Sequence, residues 1–266
     1  MTITTVDDIA AGLAASKAMQ FSKNLAVPKV AGAFVSSWTA AGFPGAGSAS
    51  PLYTAGSGYT CDKDTPGAIP LTNAVIKNYL AKISASSSQI GTLMLVDRLW
   101  SCSGMGFAAG TYTVTTPGSL PARITDNGVS VEAWVENFVA AGSATGTLTL
   151  NYKNTVDADS SGVIATVQSA PSAAQLQMIP LQTSDLGVKQ ITSVVTSNTW
   201  TSGSFGISLI KRIAEIPLPS IGASGLLDWA QSALEQVPND ACLMLVWRAF
   251  TTQAPQVTGS INLIDK

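Results

Sequence analysis

Glu132 and Glu136 stand four residues apart in "GVSVEAWVENFVA", the spacing at which a pair of carboxylates invites comparison with a glycosidase. In a strand the two share one face about 13 Å apart, beyond the ~5–9.5 Å that such chemistry uses. In a helix they would be closer and form a solvated face. Ser208 and Lys211 in "ISLIKR" match the Ser-x-x-Lys pattern, but the segment reads as a strand, where residues three apart face opposite sides. "SCSGMG" fails the first position of a nucleophile elbow. The chain holds no histidine, which removes Ser-His-Asp and Cys-His catalysis and histidine metal sites. "DADSSG", from Asp157 to Gly162, opens like a calcium loop, yet Gln168 stands where the bidentate Glu belongs, and a hairpin turn explains it better. "GFPGAGSAS", from Gly42 to Ser50, contains Gly-x-Gly, but Pro51 follows instead of a helix, so it reads as a loop. Six tryptophans raise a sugar-binding platform. Trp100, Trp229 and Trp247 lie in apolar segments, and Trp200 is the one expected at an exposed loop. No residue is thus assigned a catalytic, cofactor-binding or metal role, and the chain is expected not to be an enzyme.

The elements that would position these residues follow from composition and period. At 266 residues the chain can bury ~75% of its unfolded surface, so it needs neither disulfide nor metal to fold. Charged residues are 11%, against a usual ~25%. A surface so poor in charge suits a protein covered by its own copies or by a partner, or else a small-residue β protein with hydroxyls outside. Net charge is −2 and the longest basic run is Lys211–Arg212, which leaves no footprint for nucleic acid. No apolar run reaches the ~18 residues of a membrane helix. The first residues carry Asp7 and Asp8 instead of a cationic signal start, so a cytoplasmic product is expected until assembly. Cys61, Cys102 and Cys242 make an odd set without a Cys-x-x-Cys. Cys242 reads as core, whereas Cys61 and Cys102 sit among Gly, Ser and Asp, where exposure and even pairing are open.

"TTVDDIAAGLAASKAM" predicts an N-terminal helix with Val6, Ile9 and Leu13 on one stripe and Thr5 or Asp7 as its cap. A long Gly/Pro/Ser-rich loop follows from Ala41 to Gly67. Period-two segments then crowd the middle of the chain: "GTYTVTT", "GVSVEAWVENFVA", "TGTLTLNYKN", "SGVIATVQSA", "VKQITSVVTS" and "FGISLIKRIAEI". These predict an antiparallel β-sandwich, jelly-roll or immunoglobulin-like.

Flanking them, one phrase is written twice. "IPL" at Ile69 leads to "LMLVDR" at Leu93, and "IPL" at Ile216 leads to "LMLVWR" at Leu243. Ile76, Tyr79, Leu80 and Ile83 after the first, and Leu226, Leu227, Ala230 and Leu234 after the second, recur at helical spacing. The expectation is two equivalent helix–strand units whose strands pair or share a sheet, with Arg98 and Arg248 at the strand exits, reaching solvent or a carboxylate. A third "IPL" at Ile179 has no such partner. The expected fold is mainly β with a few helices (α+β). Residues 1–110 hold the N-terminal helix, the loop and the first helix–strand unit, 111–216 the sandwich, and 217–266 the second unit packing with the first.

"TTVDDIAAGLAASKAMQFSKNLAVPKVAGAFVSSWTAAGFPGAGS", "GTLMLVDRLW" and "ISLIKRIAEIPLP" together resemble structural (virion) proteins of tailed bacteriophages and prophages. The likeness covers most of the chain and carries no functional motif. It implies a virion component assembled in the host cytoplasm, most like a head decoration or cement protein. Its partners would be the major capsid protein and copies of itself. A tail or baseplate protein, or a carbohydrate-binding sandwich for host attachment that uses Trp200, are the alternatives.

Overall fold

The computed structural model describes residues 3, 5–48, 58–71, 77–106, 109–114, 120–143, 146–197 and 202–265. Trp200 and the residues 72–76 that open the first expected helix lie outside these. In chain order the described elements are α1 (Val6–Ala15), β1 (Met19–Asn24), β2 (Phe34–Ser36), β3 (Ala41–Phe43), β4 (Gly58–Thr60), β5 (Asn78–Ser87), β6 (Gly91–Cys102), β7 (Met105–Gly106), β8 (Gly110–Thr113), β9 (Val131–Val139), β10 (Leu148–Asn154), β11 (Asp159–Ile164), β12 (Gln175–Met178), β13 (Val188–Thr196), β14 (Ser204–Leu218), β15 (Ser224–Asp228), β16 (Gln236–Val237), β17 (Leu243–Ala249) and β18 (Gln256–Asp265). The protein is mainly β and its strand pairs are antiparallel.

The described strands form three sheets. One runs β4-β6-β17-β2-β12-β9-β14-β7, and a further pairing of β6 with β14 closes β6, β17, β2, β12, β9 and β14 into a six-stranded barrel. Beside it lie a half-barrel, β15-β5-β18-β1-β3 with β16 on β5, and a four-stranded sheet, β11-β10-β13-β8. Alternation sends the buried apolar side chains of the barrel strands into three cores. Met94, Val96, Met244, Val246, Trp134 and Ile210 point into the barrel. Leu93, Leu95, Leu243, Leu245 and Trp247 point outward, onto Phe21, Leu80, Ile83, Val257 and Ile261 of the half-barrel. Val131, Ala133, Val135, Ile207 and Leu209 point outward, onto Leu148, Leu150, Tyr152, Ile191 and Val194 of the four-stranded sheet. All twelve residues of β6 are buried for this reason: its two faces look into different cores.

The six period-two segments of the middle region are β8, β9, β10, β11, β13 and β14. They are divided between two sheets that pack on a common core. Four of them build the small sheet, while β9 and β14 are staves of the barrel. β12, which lies between β2 and β9 in the barrel, spans four residues, too few to show an alternating signal.

The repeated phrase has a structural counterpart. β6 and β17 are antiparallel neighbours, with Leu95 opposite Leu245. The triplets are exchanged: Ile216 of the second copy pairs with Leu93 of the first, and Ile69 of the first bridges to Leu243 of the second. The middle pieces also pair, β15 with β5. Each copy is therefore a strand–strand unit, and the two expected helices are corrected. In β5 the burial order is in-out-in-in-out-in. A bulge opposite Asn262–Leu263 puts Leu80 and Ile83, three residues apart, into the same core and so mimics helical spacing in a strand. In the second copy Leu226 and Leu227 are in β15, and Ala233 and Leu234 have φ of 51° and 53°, which no helix accommodates.

Helix α1 forms where expected. Thr5 Oγ1 accepts from the Asp8 amide at 3.2 Å and the Asp8 carboxylate accepts from the Thr5 amide at 2.9 Å, a reciprocal cap. Ile9 docks against Ile264 and Ala81, with Leu13 beside it, while Val6 stays 62% exposed. None of the described helices is long and apolar enough to cross a membrane.

Candidate functional site

The charges written side by side as Asp97–Arg98 leave β6 on opposite faces, as strand alternation requires. Arg98 points into the barrel. Its Nη1 lies 2.7 Å from Glu136 Oε2, and both side chains are fully buried. Nη2 donates to Ser101 Oγ at 2.6 Å, and the guanidinium lies 4.4 Å from the Trp38 ring. Ser208 Oγ donates to the same Glu136 oxygen at 2.6 Å. Arg98 is thus not at a strand exit: β6 continues to Cys102, and the guanidinium meets a carboxylate inside the protein. Among the described residues, the Arg98 Nε and Glu136 Oε1 atoms have no hydrogen-bond partner.

Asp97 points the other way. Its carboxylate accepts from Arg123 Nε and Nη2, each at 2.8 Å, and from the Cys242 amide at 2.9 Å. Arg123 also donates to the Arg98 carbonyl at 3.2 Å and lies 3.6 Å from Asp240. Burial pushes the Asp97 carboxyl up, and the Arg123 contacts pull against it. This second pair ties the turn after Pro121 to the junction of β6 and β17, beside a cleft of about 230 Å³ lined by Arg123, Asp126, Lys211 and Glu235.

The three cysteines are buried thiols. The exposure of Cys61 and Cys102 considered from their polar neighbours does not occur, because β4 lays Cys61 along β6 with its amide on the Leu99 carbonyl at 2.9 Å, and Cys102 ends β6 within the core. Cys61 and Cys242 sit together in the barrel core. Burial raises the Cys61 thiol, but its hydrogen bond with Cys242 and the Arg98 guanidinium outweigh that and leave it below its ordinary value. Burial pushes Cys102 up to about 12.

The remaining sequence candidates are separated. Glu132, four residues from Glu136, binds Arg212 at 2.9 Å near the surface. Ser208 is sealed in the barrel, whereas Lys211 meets Asp126 at 2.8 Å. Asp157 to Gly162 belongs to the β10–β11 hairpin, in which the Asn154 amide donates to the Ala158 carbonyl at 3.0 Å. Gly47 of the Gly-x-Gly stretch donates its amide to the Trp38 carbonyl at 2.7 Å and lies against the indole. Trp100 and Trp247 are fully buried, and Trp229 packs under α1. Arg248 does reach solvent at its strand end.

Chemically, the Arg98–Glu136–Ser208 group has an acid, a cation and a hydroxyl within hydrogen-bond reach, yet each is 0% exposed. A nucleophile enclosed in this way meets no substrate, and the arrangement acts as a polar lock across the barrel. Arg123 was not singled out from sequence, and Glu136 was weighed there as a partner of Glu132 rather than of Arg98. The signal was present in two adjacent opposite charges within an otherwise apolar strand.

The accessible feature is on the half-barrel. Strand register lines up two rows across its outer face: Ser22, Thr258, Ser86 and Ser224, then Gln20, Ser260, Ser84 and Leu226. Hydroxyls bond across the strands, Ser84 to Ser260 and Ser86 to Thr258, each at 3.0 Å. Neither row contains a charge. A shallow groove of about 320 Å³ runs along them.

No protein-family model and no curated protein matches the chain. Among solved structures, the VP2 subviral particle of infectious bursal disease virus overlaps it with a TM-score of 0.24 at 8% identity, covering 94% of this chain and 80% of that one. T=1 particles derived from the same virus overlap with a TM-score of 0.19 at 9% identity, covering 94% and 78%. Scores this low do not establish a shared fold.

Proposed function

We propose that this chain is a non-enzymatic structural component of a tailed-phage virion, a decoration or cement protein that lies on the outer shell and stabilises it. The carrying observation is the pair of uncharged, hydroxyl-rich rows on the half-barrel. Serine and threonine hydroxyls that already bond to one another across strands can be covered without leaving an ionised group unpaired. A flat face of this kind suits burial against a broad protein surface. The low charge of the chain and its resemblance to phage structural proteins agree with this role. The enclosed Arg98–Glu136 and Asp97–Arg123 pairs hold the barrel in register and take no part in binding.

The test is co-sedimentation with empty shells of the major capsid protein encoded in the same genome. Wild-type protein is expected to pellet with the shells and raise their melting temperature. Thr258→Arg, which places a charge at the centre of the face, is expected to remain in the supernatant while keeping its own melting temperature. A wild-type protein that ignores shells, or a Thr258→Arg variant that binds them as well as wild type, defeats the proposal.

A further inference from the structure

The open end of the barrel carries an alternating row of rings and guanidinium groups. Arg248 on β17 is in register with Phe34 on β2. Its guanidinium carbon lies 5.7 Å from the Phe34 ring centre and 6.0 Å from that of Phe250. Phe34 meets Trp134 edge-on, with centroids 4.9 Å apart, and Arg212 lies 5.8 Å from the far ring. The two arginines differ in one respect. Arg212 is neutralised by Glu132 at 2.9 Å, whereas no ion pair of Arg248 is found among the described residues. Phe250 beside it is 47% exposed. A guanidinium held between two rings has its planar fork already oriented, so it receives a carboxylate at little cost in ordering.

The same chain displays the complement. Val6 and Asp7 open α1, and Val6 is 62% exposed because Ile9 and Leu13 supply the docking side of the helix. Asp8, not Asp7, closes the cap with Thr5, which leaves the exposed Asp7 carboxylate outside the cap. An apolar side chain next to an acid faces outward on one surface, and a phenyl ring next to a guanidinium faces outward on another.

We propose that the barrel mouth is a contact between copies of this chain, in which Arg248 receives the Asp7 carboxylate of a second copy and Phe250 packs on its Val6. The two surfaces differ, so the contact is heterologous and propagates from copy to copy into a ring or a row. It uses a different surface from the hydroxyl face and does not depend on a shell being present.

Sedimentation velocity of the full chain over a micromolar-to-millimolar series tests it. Wild type is expected to show a concentration-dependent larger species that recedes with added salt. Arg248→Glu and Asp7→Arg, each alone, are expected to weaken that association by roughly tenfold or more, since like charges then face each other. The double variant, with the charges exchanged, is expected to recover it. All three are expected to keep the wild-type melting temperature, because both residues are exposed. A wild type that stays monomeric throughout, single variants that associate like wild type, or a double variant no better than the singles each overturn the contact. Association through Arg248 in a protein that ignores shells would leave this inference standing and remove the shell-binding role alone.

Discussion

Replacing Glu136 by Gln leaves the Arg98 guanidinium charged and uncompensated inside the barrel. The Arg98 side chain is fully buried and its contact with Glu136 is 2.7 Å. The other neighbours, Ser101 Oγ at 2.6 Å, Met244 Sδ at 3.4 Å and the Trp38 ring, are neutral. No solvent is within reach to take over the charge. Breaking a buried pair on one side typically costs about 3–5 kcal/mol, out of a total stability on the order of 5–15 kcal/mol. For a chain of this size each kcal/mol moves the melting temperature by roughly 2–4 °C. Glu136→Gln should therefore melt about 6–20 °C below wild type. Removing both charges, as Arg98→Met with Glu136→Leu, should recover much of the loss, because the desolvation penalty of both ions disappears together. Calorimetry or circular dichroism melts of the three proteins decide it. A Glu136→Gln variant within about 2 °C of wild type, or a double variant that melts below the single, would refute the assignment of this pair as a lock.

Other outcomes follow from the same geometry. Lys23 Nζ donates to the carbonyls of Ala40 and Gly45, and burial lowers its pKa from 10.5 to about 8. Its proton is then held more weakly in the fold than in the unfolded chain, so its contribution to stability rises with pH between about 8 and 10.5. The difference in urea midpoint between wild type and Lys23→Met should change across that window and be flat below it; a difference that is constant throughout speaks against the shift. Cys61, Cys102 and Cys242 are all buried, so a maleimide added to native protein should label none of them, and all three should react in denaturant. Rapid native labelling of Cys61 would contradict its place in the barrel. At Gly58 an added Cβ would lie 1.9 Å from the Trp100 ring, and at Gly91 2.3 Å from the Trp247 ring. Gly58→Ala and Gly91→Ala should each cost about 1–3 kcal/mol by overpacking, read as a lower denaturant midpoint with an unchanged slope.

Local pattern carried a good part of this fold. Leu148, Leu150 and Tyr152 alternate in β10 and all face one core, so period two located the strand and its buried face without any tertiary knowledge. The start of α1 was readable, with Thr5 or Asp7 as its cap, and the structure assigns the cap to Thr5 with Asp8. The repeated Leu-Met-Leu-Val announced a pair of equivalent strands, and they are neighbours. The helix expected around Leu80 and Ile83 failed for a physical reason: a bulge shifts strand parity by one residue, and two parities joined together reproduce the three-and-four spacing of a helix. The one around Leu226 and Leu234 failed because apolar spacing is silent about the left-handed backbone at Ala233 and Leu234.

The candidate site was less legible. An Arg at the end of an apolar run reads as a snorkelling residue, and Arg248 is one. Arg98, with the same Leu-Met-Leu-Val before it, is buried because four more residues of β6, and β4 beside them, extend the sheet past it. Its partner Glu136 is thirty-eight positions away and becomes a neighbour only when β9 and β14 close the barrel.

By itself, then, the order of residues determined what depends on near neighbours: which regularly alternating segments are strands, which of their faces is apolar, where the first helix begins, and that two stretches are equivalent. The tertiary structure decided which sheet each strand joins, which charges meet, and which polar faces remain outside. These depend on barrel closure, a set of contacts between strands far apart in the chain, and no local spacing encodes them.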